Sequence, residues 1–149
     1  MMRPYEPEFT TRLIQLAEYS LIKLAPDLVI SGMALGWDQA VANAAVRLKI
    51  PFHAFVPCLE QESCWPVKSR EEYQLLLSHA DECHYTIKAV YPGPWCMQKR
   101  NEEMVDASDK VLALYDGSTF GGTFNCLTYA NKKSVPAVNS WNRWISQDF

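Results

Sequence analysis

Two glycine-bearing turns and one helix carry the residues whose types suit ligand chemistry. In "YDGSTFGGTFNC", Tyr115 to Cys126, an apolar run ends and a helical pattern begins. Gly121 and Gly122 permit a positive-φ turn and close approach of a ligand to the backbone. Thr123 adds a hydroxyl beside the free N–H groups of a helix start, a combination that suits phosphate or ribose. The plainer alternative is a glycine turn with Thr123 as N-cap. "SGMALGWDQA" repeats the arrangement. Gly32 and Gly36 flank its turn, and Asp38 at the helix start would accept ribose hydroxyls or complement the helix dipole.

The helix after Trp95 adds a cation. Met97, Met104 and Val105 define an apolar face by their seven- and eight-residue spacing, and Arg100 and Asn101 fall on the same stripe. Such polar residues either line a cavity above a sheet or snorkel at its edge, and Arg100 offers a forked cation suited to phosphate. In "QESCWP", Glu62 could hold sugar hydroxyls and Trp65 could cover a base; the competing reading is a surface loop with a packed Trp. Asp116, ending "KVLALY", either faces ligand or forms a turn before Gly117. His53, His79 and His84 have no acidic or Cys partner at metal-ligand spacing, so neither a metal nor a cofactor is expected. No G-x-S-x-G or Cys-with-His arrangement supports acyl transfer.

The elements that must position these residues alternate. The helical spacing from Phe9 to Leu24 is stopped by Pro26, and "LVIS", Leu28 to Ser31, reads as a short buried strand. A helical face through Ala40, Val41, Ala44, Ala45 and Leu48 follows, then "FHAFVP" as strand and "CLEQESCWPVKS" as loop. The next helix has Tyr73, Leu76, Leu77 and Ala80 on its apolar face. The remainder reads "ECHYTI" strand, "YPGPW" loop, helix Cys96 to Ala107, "KVLALY" strand, helix Thr123 to Asn131 and "VPAVN" strand. This order predicts an α/β, Rossmann-like three-layer sandwich with a mostly parallel sheet, in one domain over 1–149. Ligands in such sheets sit beyond the C-terminal ends of the strands, which selects the loops Gly32 to Asp38, Pro57 to Pro66, Tyr91 to Lys99 and Asp116 to Asn125.

Composition narrows the function classes. A net charge of −3 with scattered Lys and Arg disfavours duplex nucleic acid as a partner. No apolar run reaches membrane-spanning length and the N-terminus lacks a signal-peptide pattern, so a cytoplasmic protein is expected, without a membrane partner. Five cysteines without a C-x-x-C pair read as reduced and mostly buried thiols.

Together, "SGMALGWDQA", "QESCWP", "MQKRNEEMVDASDKVLALYDG" and "GGTFNC" resemble the YpsA-like family of the SLOG superfamily, over roughly Pro26 to Asn139. That superfamily is Rossmann-like and similar to Lonely Guy phosphoribohydrolases and DprA-type proteins. The resemblance implies a nucleotide or ADP-ribose-like small molecule as ligand. Gly121, Gly122, Thr123 and Arg100 would hold phosphate; Gly32, Gly36, Asp38, Glu62, Trp65, Asn101, Asp116 and Asn125 would surround sugar and base. Asn125 stands where Lonely Guy enzymes carry the Glu that takes part in N-glycosidic cleavage, and an amide cannot act as base or nucleophile. The expectation is therefore a binding protein, acting as sensor, carrier or sequestering protein. One alternative is an N-glycosidase or phosphoribohydrolase in which Glu62 or Asp116 replaces the missing carboxylate, with Arg100 as a further catalytic candidate; another is a structural or assembly subunit without ligand.

Relatives also look to begin with an apolar strand and a Thr-Gly-His-Arg-Pro-like turn, of which only Arg3 and Pro4 could be a remnant. Without that central strand, the strand Leu28 to Ser31 lacks a neighbour. Either the adjacent strands close up or a second copy covers the gap, which predicts a homodimer. The tail "WNRWISQDF", with Trp141, Trp144, Ile145 and Phe149, is the expected contact, against the alternative of a tail folded onto its own domain.

Overall fold

The computed structural model describes residues 7–149. Arg3 and Pro4 lie outside the described residues. The elements run α1 (Pro7–Leu24), β1 (Val29–Ser31), α2 (Trp37–Arg47), β2 (Phe52–Val56), α3 (Val67–Leu77), β3 (Glu82–Tyr85), α4 (Trp95–Asp106), β4 (Val111–Ala113), α5 (Gly122–Lys132), β5 (Ala137–Asn139) and α6 (Trp141–Ser146). The fold is α/β and Rossmann-like, and every strand pairing is parallel.

The helices begin and end where chain chemistry requires. α1 closes at Ala25, whose N–H still donates to Leu21 O at 2.8 Å while its φ of 49° turns the chain left-handed into Pro26. The apolar face of α1 packs on α2, where Ala42, Ala44 and Ala45 are fully buried and let the two helices approach closely. α2 packs against both α1 and α3, and α4 packs against α5. Phe52, Ala54 and Val56 of β2 and Leu16 and Met33 fill the core between the layers.

The strands do not form one sheet. β1, β2 and β3 make a three-stranded sheet and β4 and β5 a two-stranded one. Of the two alternatives for the gap, closure of the neighbouring strands is not the one found among the described residues: β1 and β4 stay apart, and a cleft of about 680 Å³ runs between them. Trp37 partly bridges it, its indole Nε1 donating to Leu112 O at 3.3 Å.

Four further details differ from the sequence reading. "VKS", Val67 to Ser69, belongs to α3 and not to the preceding loop. β3 is largely exposed, because Glu82, Cys83 and His84 lie at the open edge of their sheet. Two of the five free cysteines, Cys64 and Cys83, are exposed. The tail contains a helix, α6, packed on its own domain: Trp144 is buried and meets Phe9 edge-on at 5.4 Å, and the Arg12 guanidinium lies 3.8 Å from the Phe149 ring centroid. Aromatic burial within the domain thus uses the surface expected to meet a second copy. Buried Ser20 secures the same corner, donating to Leu16 O at 2.9 Å while its Oγ lies 2.8 Å from Ser140 Oγ.

Candidate functional site

The site is built where β1 hands over to α2. Ser31 is buried at the end of β1; its hydroxyl donates to Asp38 O at 2.8 Å and accepts from Met33 N–H at 3.1 Å. Met33 is fully buried with a φ of 62°, a conformation a non-glycine residue holds only when its surroundings fix it. Gln39 helps to fix it by donating from Nε2 to Met33 O at 3.1 Å. Gly32, inside this turn, leaves no room for a side chain: a Cβ there would meet Arg100 Nη1 at 2.7 Å and Asp38 Oδ2 at 2.8 Å.

Arg100 is the centre of the site and is 5% exposed. Nη1 donates to Gly32 O at 2.6 Å and Phe55 O at 3.2 Å, and Nε donates to Asn101 Oδ1 at 3.0 Å. The guanidinium therefore ties the ends of β1 and β2 to α4. The buried stripe of α4 is Cys96, Arg100 and Val105. Arg100 and Val105 of the expected stripe are buried, whereas Met97 is 37% exposed and Cys96, one residue earlier, takes its place on the buried face.

Asp38 faces this cation. Burial pushes its carboxyl above the ordinary value, while the Arg100 charge and the Ala34 N–H, 3.4 Å from Oδ2, pull it down. Cys126 on α5 lies in the same field: burial raises its thiol pKa, the Asp38 charge raises it further, and Arg100 opposes both.

Six of the residues singled out in the sequence line the cleft between β1 and β4: Gly32, Asp38, Arg100, Asn101, Gly122 and Thr123. They gather at the C-terminal ends of the strands, with Gly122 and Thr123 in the first turn of α5. Gly121 precedes them as N-cap with a φ of 97°, outside the lining; its role is the left-handed turn that starts α5. Gly36, with a φ of 92°, plays the same part before α2.

Four others lie away from the cleft. Glu62 accepts a hydrogen bond from Gln74 Nε2 of α3. Trp65 packs edge-on against Tyr73 at 5.3 Å, the structural alternative for that loop. Asp116 is exposed and accepts from Ser118 N–H at 3.0 Å and from its hydroxyl at 2.5 Å, contacts that hold its carboxyl below the ordinary value. Asn125 is exposed on α5 and absent from the lining.

The sequence reading missed Trp37 and Cys126, both of which line the cleft. Helical spacing was the available signal: Cys126 follows Thr123 by three residues and shares its face, whereas Asn125 does not. Among the described residues no group of three or more His, Cys, Asp or Glu could hold a metal ion. No helix of the described residues is long and apolar enough to cross a membrane.

Comparison with known proteins gives a consistent fold. Residues 10–139 match the model of the YspA SLOG family. An uncharacterized SPbeta prophage-derived protein, YoqJ, of Bacillus subtilis (strain 168) is 35% identical over 147 residues, covering 89% of this chain and 85% of that protein. A UPF0398 protein of Halalkalibacterium halodurans is 36% identical over 110 residues, covering 70% of this chain and 58% of its own length. Among solved structures, DNA processing protein A (DprA) of Streptococcus pneumoniae superposes with a TM-score of 0.51 at 12% identity, over 98% of this chain and 59% of that chain. At that identity the likeness is one of fold.

Proposed function

Since the chain belongs to the YspA SLOG family, we propose that it binds a nucleotide-derived small molecule at the mouth of the cleft, without turning it over. The observation that carries this reading is the convergence of Asp38, Arg100, Asn101 and the Gly122–Thr123 helix start on one mouth. A cation, a carboxylate, an amide and free helix N–H groups are the complement of a phosphate joined to a ribose. The cleft of about 680 Å³ lies within the size range of small-ligand pockets, roughly 300–1,000 Å³. Thr123 and the α5 N-terminus would hold phosphate, and Asp38 and Asn101 would hold ribose hydroxyls. Arg100, largely engaged by backbone carbonyls, supplies positive charge from behind.

N-glycosidic cleavage is the weaker reading. Glu62 is bonded to Gln74 and Asp116 to Ser118, and neither carboxylate lines the cleft. A homodimer and a cytoplasmic setting stay part of the proposal.

Calorimetric titration with AMP and ADP-ribose tests the reading, with chromatography for released base. Thr123→Ala, at an exposed position, should weaken binding by about fivefold for one lost hydrogen bond, while Asn125→Ala should bind as wild type. Absence of binding to both ligands, or release of base by the wild-type protein, overturns it.

A further inference from the structure

Two of the five cysteines meet in the interior, away from the cleft. Cys58 follows the end of β2 and is 2% exposed; Cys96, in the first turn of α4, is fully buried. Neither lines the cleft, so the pair is independent of the ligand proposed above.

The backbone brings them together. Ile87 N–H donates to Pro57 O at 3.1 Å and Leu59 N–H to Ala89 O at 2.9 Å, which holds Cys58 from both sides against the chain that continues β3. On α4, Arg100 donates to Phe55 O at 3.2 Å, and Cys96 lies one turn earlier on the same buried face. The helix of a parallel crossover runs back along its strands, so that turn stands over the residues just past β2. There the two thiols meet in a side-chain hydrogen bond. The other cysteines have different company. Cys83 bonds Tyr85, Cys126 faces Asp38 and Arg100, and exposed Cys64 lies 3.9 Å from Ser63 Oγ.

Thiols in contact on two fixed stretches of backbone need only side-chain rotation to reach the disulfide bonding distance of about 2 Å. Burial raises the Cys58 thiol pKa and the adjoining Cys96 adds to it, so Cys58 rests protonated and resists chance oxidation.

We infer that Cys58 and Cys96 form a redox-active dithiol, which a hydroperoxide converts into a disulfide tying the end of β2 to the first turn of α4. Local opening of the chain admits the oxidant. Cys58 reacts first, because it lies on a loop whereas Cys96 is enclosed in a helix. Its thiolate attacks the terminal oxygen of the hydroperoxide and the O–O bond breaks. The other oxygen leaves as water or an alcohol, taking up the proton the thiol released, and Cys58 becomes a sulfenic acid. The Cys96 sulfur then attacks the Cys58 sulfur; the S–S bond forms, the S–O bond breaks and water leaves with the Cys96 proton. Two thiols are oxidised and one hydroperoxide is reduced. A small thiol reverses the link by exchange. While it lasts, the link fastens the helix of Arg100 to the strand whose carbonyl that side chain holds.

The test treats the folded full chain, wild type and Cys64→Ser, with hydrogen peroxide, blocks the remaining thiols with N-ethylmaleimide and maps links by peptide mass spectrometry. A Cys58–Cys96 link is expected in both proteins, reversed by dithiothreitol, with the melting midpoint raised by roughly 5–15 °C over the reduced form. In Cys96→Ser, Cys58 should stop at the sulfenic acid and be trapped by dimedone. Free Cys58 and Cys96 thiols after Cys64 and Cys83 have been oxidised overturn the inference. So does a Cys58–Cys64 link in place of Cys58–Cys96, a midpoint that falls on oxidation, or the same mixture of links from folded and urea-unfolded chain.

Discussion

Replacing Gly32 by Ala should destabilise the protein by forcing Arg100 off its carbonyl partners. The new methyl would stand 2.7 Å from Nη1 and 2.9 Å from Cζ, where carbon contacts settle at about 3.5–4.0 Å. The guanidinium would have to retreat by about 1 Å, stretching the 2.6 Å bond to Gly32 O beyond hydrogen-bond range, and the 3.2 Å bond to Phe55 O has still less slack. Asp38 Oδ2, 2.8 Å from the same methyl, limits escape on the other side. Hydrogen bonds from a charged donor contribute about 1.5–3 kcal/mol each, so loss of one or two gives a cost of about 2–5 kcal/mol. For a chain of this size that is a fall in Tm of roughly 5–15 °C. Urea melts of Gly32→Ala, Arg100→Ala and the double variant isolate the cause. If the clash with Arg100 is the mechanism, Gly32→Ala should cost at least about 1 kcal/mol less in the Arg100→Ala background. A Gly32→Ala variant within about 0.5 kcal/mol of wild type, or strictly additive costs, refutes the account.

The raised carboxyl of Asp38 makes stability depend on pH, since the folded state keeps its proton where the unfolded state has lost it. That contribution is complete below the ordinary carboxylate value of 3.8 and is lost as pH rises through the folded pKa. Wild type should therefore lose stability relative to Asp38→Asn as pH climbs above the ordinary carboxylate value in denaturant titrations, and a flat or opposite difference shows that Arg100 outweighs burial. Light scattering at micromolar concentration should show a dimer that survives deletion of residues 141–149, because α6 is packed on its own domain; a monodisperse monomer removes the dimer from the reading.

Much of the fold was legible because its signals are local. Pro26 ends α1, the alanine stripe from Ala40 to Ala45 marks α2, and the glycines at 121 and 122 mark the start of α5. A gap beside β1 was foreseeable too, since "MMRPYEPEF" does not read as an apolar strand. Its outcome was not. Whether β1 and β4 would meet depends on the thickness of the layers packed over them and on Trp37 reaching Leu112 O, a contact 75 residues long. The helix α6 was hidden for a similar reason: "WNRWIS" has six residues, too few for periodicity to speak, and Phe9 and Arg12 of α1 pin the segment that contains it.

The candidate site divides along a physical line. The topological rule for parallel sheets selects strand ends, and each loop it picked does lie at one. A strand end fixes only where a loop begins, whereas the direction of each side chain is set by the helix that follows. Thr123 and Cys126, three residues apart on α5, share a face and line the cleft; Asn125, two residues and about 200° from Thr123, points elsewhere. Asp38 and Val41 repeat that spacing on α2, and Arg100 and Met104 do so at four residues on α4. Asp116 and Glu62 sit on no such helix face, and their carboxylates are taken by Ser118 and Gln74 nearby. Helical phase measured from Thr123, Asp38 and Arg100 therefore separates cleft residues from bystanders, and Trp37 enters by reaching across the gap, which phase alone does not predict.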